Sequence, residues 1–447
     1  MRTETKSNLK STAFVLGVAV SVAFLGTTAP GCGGDATPPA KYATSDAGGA
    51  PVTNGAAQTG VTEGPQEHAD MAPAAKDAYD RGWKAWLAGD LATAKAAFTE
   101  AGQKDTKASA PHYSLGTVLE RLGDKSGAQQ EFRAAFSLKP DNEQAMGAYA
   151  LSLAHAGHGG EADTFLTDKH AKLPTSARIT TYLAEVKSLA KDSATAQQLA
   201  QDALRIDPDF KDAMVTIARD HYRARRLDLA KYALQAILDG FGDSSPARDK
   251  DNAEAHLLRG LIEREQNQRL AAMADFEAAR TKRPDLVEAV IQVGAMKLEA
   301  GNVVEATPLL ESATRFAPNL PLAHLNLGDA YRLGARPQDA KREFDTALSQ
   351  DSSLAVVHYD LGLLYLFSPS IPGTNADSQV STAIKELETY KSMRGAKVTP
   401  GTADDTDELL TKARTKQTEM KLAAATPPTA AAPPAGAKGD AGASPKK

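Results

Sequence analysis

The sequence predicts an all-α solenoid of about nine helix-turn-helix repeats, with disordered segments at both ends. Three observations support this fold class. An alanine recurs every 34 residues, each period holds two apolar stretches separated by a short turn, and a proline often ends it. Aromatic residues make up only 6% of the chain, while alanine recurs throughout. This composition favours closely packed helices over sheets lined with bulky side chains.

The period is marked by the alanine that opens the second half of each repeat. Two insertions interrupt it: LDGFGDSSPARDKDN between repeats 5 and 6, and FSPSIPGTNADSQ between the two helices of repeat 9. Each insertion is either an idiosyncratic loop or a docking element, and in the second case Phe241, Phe367 and Ile371 are the residues to contact a partner. The marker alanines are Ala94, Ala128, Ala162, Ala196, Ala230, Ala272, Ala306, Ala340 and Ala383.

Small residues in the first helix and large ones in the second indicate how a repeat packs. The markers are Gly82, Gly116, Gly260, Gly294, Gly328 and Gly362 in first helices, and Phe98, Phe132, Phe276 and Phe344 in second helices. In their order and spacing they resemble the tetratricopeptide-repeat family, and we expect the solenoid over residues 71–393. The resemblance implies stacked helix pairs whose first helices line a concave groove that binds other proteins.

The resemblance also implies which residues face the groove. First-helix residues spaced three and four apart share one face. Two alternatives remain open: the apolar positions could only complete the packing between repeats, and Arg219, Arg223 and Arg264 could form a solvated face instead of a basic patch that binds an anion. The predicted groove residues are Tyr79, Trp83, Trp86, Tyr113, Thr117, Arg219, Arg223, Leu257, Leu261, Arg264, Ile291, Asp329, Tyr359 and Leu363.

The first residues have the composition of an export signal. Residues 1–31 combine basic residues, the apolar run STAFVLGVAVSVAFLG and a small-residue end, as a secretory signal peptide does. The following Cys32 is the only cysteine, and the stretch TAPGC resembles a bacterial lipobox, which implies a lipid on this thiol. Gly33 follows Cys32, at the position where the lipoprotein family would have an aspartate as a signal for retention in the inner membrane, so the resemblance implies the outer membrane. The alternative is an ordinary signal peptide with an incidental cysteine.

The segments that flank the repeats differ from them in composition. Residues 32–70 are rich in Gly, Ala, Pro, Thr and Asp, which predicts a flexible tether behind the lipidated cysteine. Residues 394–426 contain one further amphipathic stretch, which we expect to cap the last repeat. The Pro/Ala/Lys-rich residues 427–447 read as a disordered tail.

Catalysis, cofactors and nucleic acid are disfavoured. The net charge of −5 argues against a nucleic-acid partner, and a single cysteine excludes multi-cysteine metal sites. No nucleophile elbow, phosphate-binding glycine loop or zinc motif occurs, so we expect no enzyme activity, cofactor or metal. The pair His155 and His158 is too small a set for a metal site. Four other histidines share an early first-helix position, which indicates a packing role: His112, His256, His324 and His358.

The layout predicts an outer-membrane lipoprotein scaffold that gathers envelope proteins through its concave face and reaches the membrane through its N-terminal lipid. It resembles the repeat lipoproteins that serve surface gliding motility, type IV pili and secretin assembly, and most of all those of deltaproteobacterial gliding motility. The first alternative is a periplasmic adaptor for exopolysaccharide export. An enzyme with a repeat platform is the second, but no segment of about 100 residues remains outside the repeats to form a catalytic domain.

Overall fold

The computed structural model describes residues 71–395 and 405–425. The predicted signal peptide, Cys32 with its tether, and the tail at 427–447 lie outside the described residues. The described part of the chain forms nineteen α-helices. None of these helices is long and apolar enough to cross a membrane.

The helices follow one another as nine pairs, repeats 1 to 9, and a final single helix, which confirms the predicted all-α helix-turn-helix solenoid. We call the first helix of each pair helix A and the second helix B. In chain order the pairs are α1 Pro73–Leu87 and α2 Leu91–Lys104, α3 Ser109–Arg121 and α4 Lys125–Leu138, α5 Glu143–His155 and α6 Gly159–Lys172, α7 Ala177–Leu189 and α8 Ser193–Ile206, α9 Lys211–Arg223 and α10 Leu227–Leu238, α11 Ala253–Glu265 and α12 Arg269–Lys282, α13 Val287–Glu299 and α14 Val303–Phe316, α15 Pro321–Leu333 and α16 Pro337–Gln350, α17 Ala355–Phe367 and α18 Ala376–Arg394, followed by α19 Thr406–Ala425.

The two helices of a repeat approach closely because a glycine of helix A faces a large side chain of helix B. A Cβ atom at Gly116 would lie 2.6 Å from the ring of Phe132, and one at Gly328 would lie 2.5 Å from the ring of Phe344. Both phenylalanines are completely buried. Because a real Cβ atom does not tolerate these distances, the ring occupies the space that the missing side chain leaves. The glycine and phenylalanine markers of the sequence therefore contact each other, and this contact sets the distance between helix A and helix B.

The turn between helix A and helix B is as periodic as the helices. One residue of this turn has a positive φ in each of repeats 1 to 8, and four of the eight are not glycine. Ala335, with a φ of 55°, takes the conformation even though its Cβ atom disfavours it. The repeat fold therefore imposes the turn geometry on the local sequence. The eight residues are Gly89, Gly123, Gly157, Lys191, Arg225, Asn267, Gly301 and Ala335.

The last helix, α19, covers the end of the array. Leu409, Leu410 and Ala413 are buried in one apolar cluster with residues of α17 and α18. The Tyr359 hydroxyl donates to Asp405 just before α19, with 3.0 Å between the oxygens. A repeat array needs such a cover because its terminal repeat has an apolar face without a neighbour.

The glycine–phenylalanine contact can be tested with a pair that the chain itself contains. Repeat 3 has Ala150 and Leu166, both completely buried, at the positions of Gly116 and Phe132. We expect Gly116→Ala to destabilise the protein by about 1–3 kcal/mol through overpacking. In the double variant Gly116→Ala/Phe132→Leu, the loss should be smaller than the sum of the two single losses by at least about 0.5 kcal/mol. Denaturant unfolding of the four proteins measures this cycle, and additive losses would show that the two positions do not share a contact.

Candidate partner-binding surfaces

The structure buries most of the predicted groove residues. Nine of them expose less than a tenth of their surface: Tyr79, Trp86, Thr117, Leu257, Leu261, Ile291, Asp329, Tyr359 and Leu363. Trp83 and Tyr113 are partly buried and both pack against the apolar cluster that contains Tyr79 and Trp86. Burial on this scale supports the packing alternative for the apolar positions, since a covered side chain offers little area to a partner. Their role in a groove stays a prediction.

The aromatic residues of the first two repeats illustrate this packing role. The Tyr79 hydroxyl lies 2.8 Å from the Ser114 hydroxyl of the next helix A, and the Tyr79 ring centroid lies 5.1 Å from that of Phe98. The guanidinium of Arg121 stacks over the Trp86 ring at 5.7 Å. The contacts with Ser114 and Arg121 hold repeat 1 to repeat 2, and the contact with Phe98 lies within repeat 1, so these aromatic side chains are used in packing.

The three arginines of the predicted basic patch are paired with carboxylates of neighbouring A helices. Glu185 of α7 lies 3.1 Å from Arg219 and 2.6 Å from Arg223, both of α9. Arg219 also lies 2.6 Å from Glu254 of α11. Burial would raise the pKa of Glu185, but Arg219 and Arg223 outweigh it and lower that pKa to about 2. The charges thus form a ladder that joins repeats 4, 5 and 6.

The ladder continues one repeat further. Arg264 of α11 lies 2.6 Å from Glu299 of α13, and its side chain is 13% exposed. These carboxylates were not predicted from the sequence. A signal existed for Arg264 and Glu299, which are 35 residues apart and so fall side by side on adjacent A helices. For Arg219 and Glu254 the insertion between repeats 5 and 6 shifts the period, and the spacing gives no such signal. The arginines are therefore parts of the repeat interface, and their positive charge is compensated there.

The solenoid also contacts itself across several repeats. Arg121, at the end of α3, donates a hydrogen bond to the carbonyl oxygen of Asp285, ahead of α13, over 3.2 Å. A Cβ atom at Gly89 would lie 3.5 Å from the ring of Phe316, and one at Gly123 would lie 3.1 Å from Asn319. The turns of repeats 1 and 2 therefore rest on the turns that precede and follow repeat 7.

The outer surface carries exposed aromatic residues that the predicted groove does not include. Tyr232 of α10 and Phe241 of the first insertion are 63% and 42% exposed, and their ring centroids lie 4.9 Å apart. The insertion is held in place by the Phe241 amide, which donates to the Ser245 carbonyl over 2.7 Å, and by an ion pair of Arg248 with Asp209 at 3.0 Å. We call Tyr232 and Phe241 the outer aromatic pair.

The other insertion residues behave differently. Ile371 of the second insertion is buried, and Phe367 at the end of α17 is partly buried with Lys412 of α19 over its ring at 4.8 Å. These two side chains fix the second insertion and α19 to repeat 9. Of the three residues that the sequence singled out in the insertions, Phe241 presents an exposed ring.

Four repeats contain a histidine–carboxylate pair that was not predicted from the sequence. Nδ1 of the helix A histidine lies 2.6 to 2.8 Å from the carboxylate that precedes the large side chain of helix B. The pairs are His112 with Glu131, His256 with Asp275, His324 with Glu343, and His358 with Glu386. In the first three pairs an acid 19 residues after each histidine was the available signal.

Two of these histidines are bonded through both ring nitrogens. Nε2 of His256 faces the Lys250 carbonyl at 3.0 Å, and Nε2 of His324 faces the Pro318 carbonyl at 2.9 Å. Since both neighbours of each ring are acceptors, the doubly protonated imidazolium satisfies them best. Burial lowers the pKa of His324, but the hydrogen bonds to Glu343 and to the Pro318 carbonyl outweigh it, so the pKa is raised. Burial also lowers the pKa of His256, and the hydrogen bonds to Asp275 and to the Lys250 carbonyl outweigh it, so this pKa is raised as well.

This geometry defines a helical-repeat protein in which the arginines and carboxylates of neighbouring A helices form ion pairs between repeats. A family model described as "Tetratricopeptide repeat" matches residues 110–142, which include α4 and nearly all of α3. The nine helix pairs of the described residues therefore have the fold of a tetratricopeptide-repeat solenoid, a fold that generally binds protein partners.

Individual relatives are distant. The mouse protein O-mannosyl-transferase TMTC1 is 23% identical over 233 residues, which are 52% of this chain and 24% of that protein. The chain thus spans about a quarter of the length of this curated relative. Among solved structures, the APC/C hetero-tetramer Cut9–Hcn1 aligns with a TM-score of 0.49 and 13% identity over 78% of this chain and 79% of that chain. YrrB, described as a tetratricopeptide-repeat protein with an unusual peptide-binding site, aligns with a TM-score of 0.31 and 16% identity over 43% of this chain and 96% of that chain.

The histidine–carboxylate pairs predict a pH dependence of stability. Because the folded-state pKa of His324 is raised, its contribution is fully present below the unfolded value of about 6.5 and is lost as pH rises through the folded-state value. We expect His324→Gln to lower the melting temperature by roughly 2 °C more at about pH 5.5 than at about pH 8.5. His158→Gln is the matched control, since this ring is exposed and also pairs with an acid, Glu161. A loss for His324→Gln that is the same at both pH values would contradict the charged pairing.

Proposed function

We propose that this protein is an outer-membrane-anchored lipoprotein that acts as a non-catalytic scaffold for a multiprotein machine of the cell envelope, in surface gliding motility or in assembly of type IV pili and secretins. The observation that carries the proposal is the combination of nine stacked repeats, which present surface to other proteins, with Cys32, the sole cysteine, at the end of an export signal. The repeats bind partners and the lipid fixes them to the membrane.

The paired arginines favour this proposal over the exopolysaccharide adaptor. That alternative needs a basic inner patch for a polymer or a synthase, whereas Arg219, Arg223 and Arg264 are neutralised by Glu185, Glu254 and Glu299. Breaking such partly buried pairs to bind an anion would leave carboxylates unpaired, at a cost of about 3–5 kcal/mol for each buried charge. The outer aromatic pair can engage a partner without breaking any of these ion pairs. A protein partner that meets Tyr232 and Phe241 is therefore the better match.

The anchor is tested by replacing the lipid acceptor. Cys32→Ser removes the thiol that would carry the lipid and leaves the repeats unchanged, so most of the protein should move from the membrane fraction to the soluble fraction. Fractionation of cell envelopes followed by immunoblotting measures the distribution, and the unaltered chain is the reference. Persistence of Cys32→Ser in outer membranes after a salt wash would show that the anchor is not this lipid.

The outer aromatic pair is tested by Tyr232→Ser/Phe241→Ser. Exposed anchors that bind a partner contribute about 2 kcal/mol or more each, so recovery of co-purifying envelope proteins should fall by more than about tenfold. The melting temperature should change little, because both side chains lie at the surface, with Tyr232 63% and Phe241 42% exposed.

Leu422→Ser, at a 63% exposed position of α19, is the matched control and should retain the partner. The inner face is examined in the same assay with Trp83→Ala/Tyr113→Ala. Undiminished recovery with the outer variant and loss with the inner one, at an unchanged melting temperature, would return the binding surface to the groove.

A further inference from the structure

Repeat 2 differs from repeat 8 in how its histidine is surrounded. Both rings are held through Nδ1, His112 by Glu131 and His324 by Glu343, at 2.7 Å in each case. In repeat 8, Nε2 then meets the Pro318 carbonyl. At His112 no hydrogen bond to Nε2 is found among the described residues, and the residue at the position of Pro318 is Thr106.

A cavity of about 550 Å³ opens at this place, at the junction of repeats 1 and 2. Its wall is mostly apolar, with Phe98, Pro111, Leu115 and Leu138, and His112 and Glu131 contribute the charged groups. It lies between the two B helices, α2 and α4, and the start of α3, and is thus separate from the predicted groove and from the outer aromatic pair.

Three residues that line the cavity differ from their counterparts at the junction of repeats 7 and 8. Gly102, Ala134 and Leu138 line the cavity, and the junction of repeats 7 and 8 has Thr314, Thr346 and Gln350 at the same positions. Gln350 donates to the same Pro318 carbonyl as His324, over 2.8 Å. The junction of repeats 7 and 8 therefore has threonines in place of the smaller Gly102 and Ala134, and the Pro318 carbonyl satisfies the histidine. The junction of repeats 1 and 2 leaves both the volume and the Nε2 position open.

We propose that this cavity binds an apolar peptide segment of a protein partner, whose main-chain carbonyl accepts a hydrogen bond from Nε2 of the doubly protonated His112 ring, since Nδ1–H is donated to Glu131. The chain itself contains an example of such an occupant, because in repeat 8 a peptide carbonyl occupies the equivalent position. Glu131 holds the His112 ring in place, so little rotamer freedom is lost on binding. The apolar wall takes one or two aliphatic or aromatic side chains of the segment.

The choice of a peptide rests on the proposed role in binding proteins, but the site itself does not depend on the membrane anchor. Its test therefore uses the purified full chain, so that failure at this cavity and failure of the proposed scaffold role are distinguishable.

The probe is the blocked peptide acetyl-Phe-Ala-Pro-Asn-Leu-amide, which copies residues 316–320, the segment that meets His324. Titration is followed by the imidazole NMR signals of the histidines, with the His112 signal assigned from a His112→Gln variant. We expect a saturable shift of the His112 signal. The variant Gly102→Thr/Ala134→Thr should weaken the binding at least tenfold, because it fills the cavity as repeat 8 does. It should fold normally, since a Cβ atom at Gly102 would have its nearest neighbour at 3.7 Å.

Octanoate provides a second arm, since a free fatty acid also combines an apolar body with an acceptor oxygen. Saturable binding of the peptide that is lost in the filled variant supports the proposal. Three results would overturn it: no saturable shift at His112, equal affinity in the filled variant, or a His112 response to octanoate and none to the peptide.

Discussion

The fold depends on one contact, the approach of helix A to helix B that a missing side chain permits. At Gly116 and Gly328 the ring of the facing phenylalanine lies within 2.6 Å of where a Cβ atom would stand. A pair held this closely has one apolar stripe left, which a neighbouring pair must cover, and stacking follows from that need. Where helix A has alanine in place of glycine, the partner is smaller: Leu166 faces the position of Ala150 in repeat 3. Leucine also faces glycine in repeat 7, where a Cβ atom at Gly294 would lie 2.7 Å from Leu310, so what the repeats share is a small residue of helix A against the side chain of helix B.

The parts of the fold that repeat locally could be predicted from the sequence. The period, the helix pairs and the glycine and phenylalanine markers follow from residues close together in the chain, and the helices were expected where they are found. Burial of Tyr359, Leu363 and Ile291 could not be predicted in the same way. Spacing states which residues share a face of a helix, but whether the next repeat covers that face depends on the angle between repeats, and no single repeat encodes this angle.

The contact between repeat 2 and the segment ahead of repeat 7 is even harder to predict from the sequence. Arg121 and Asp285 are 164 residues apart, and the acceptor is a main-chain carbonyl, which carries no side-chain signal. Such a contact arises only after small rotations between successive repeats have added up over more than four of them. The ion pair of Glu185 with Arg219 likewise joins A helices of neighbouring repeats and compensates the arginine's charge there.

In a repeat array, equivalent positions of different repeats can be compared to find a site that is arranged for a partner. Each position has counterparts in the other repeats, so a group that the fold satisfies can be compared with one that it leaves incomplete. The ring of His324 is bonded on both sides by its own chain, whereas His112 has the same orienting carboxylate and an open cavity at the other nitrogen. Stability alone does not require this difference, because repeat 8 shows that the chain can close the junction with threonine and glutamine. A preoriented donor beside an apolar cavity has already lost the freedom that binding would otherwise remove. An external carbonyl can therefore complete the arrangement there without competing with any contact that holds the repeats together.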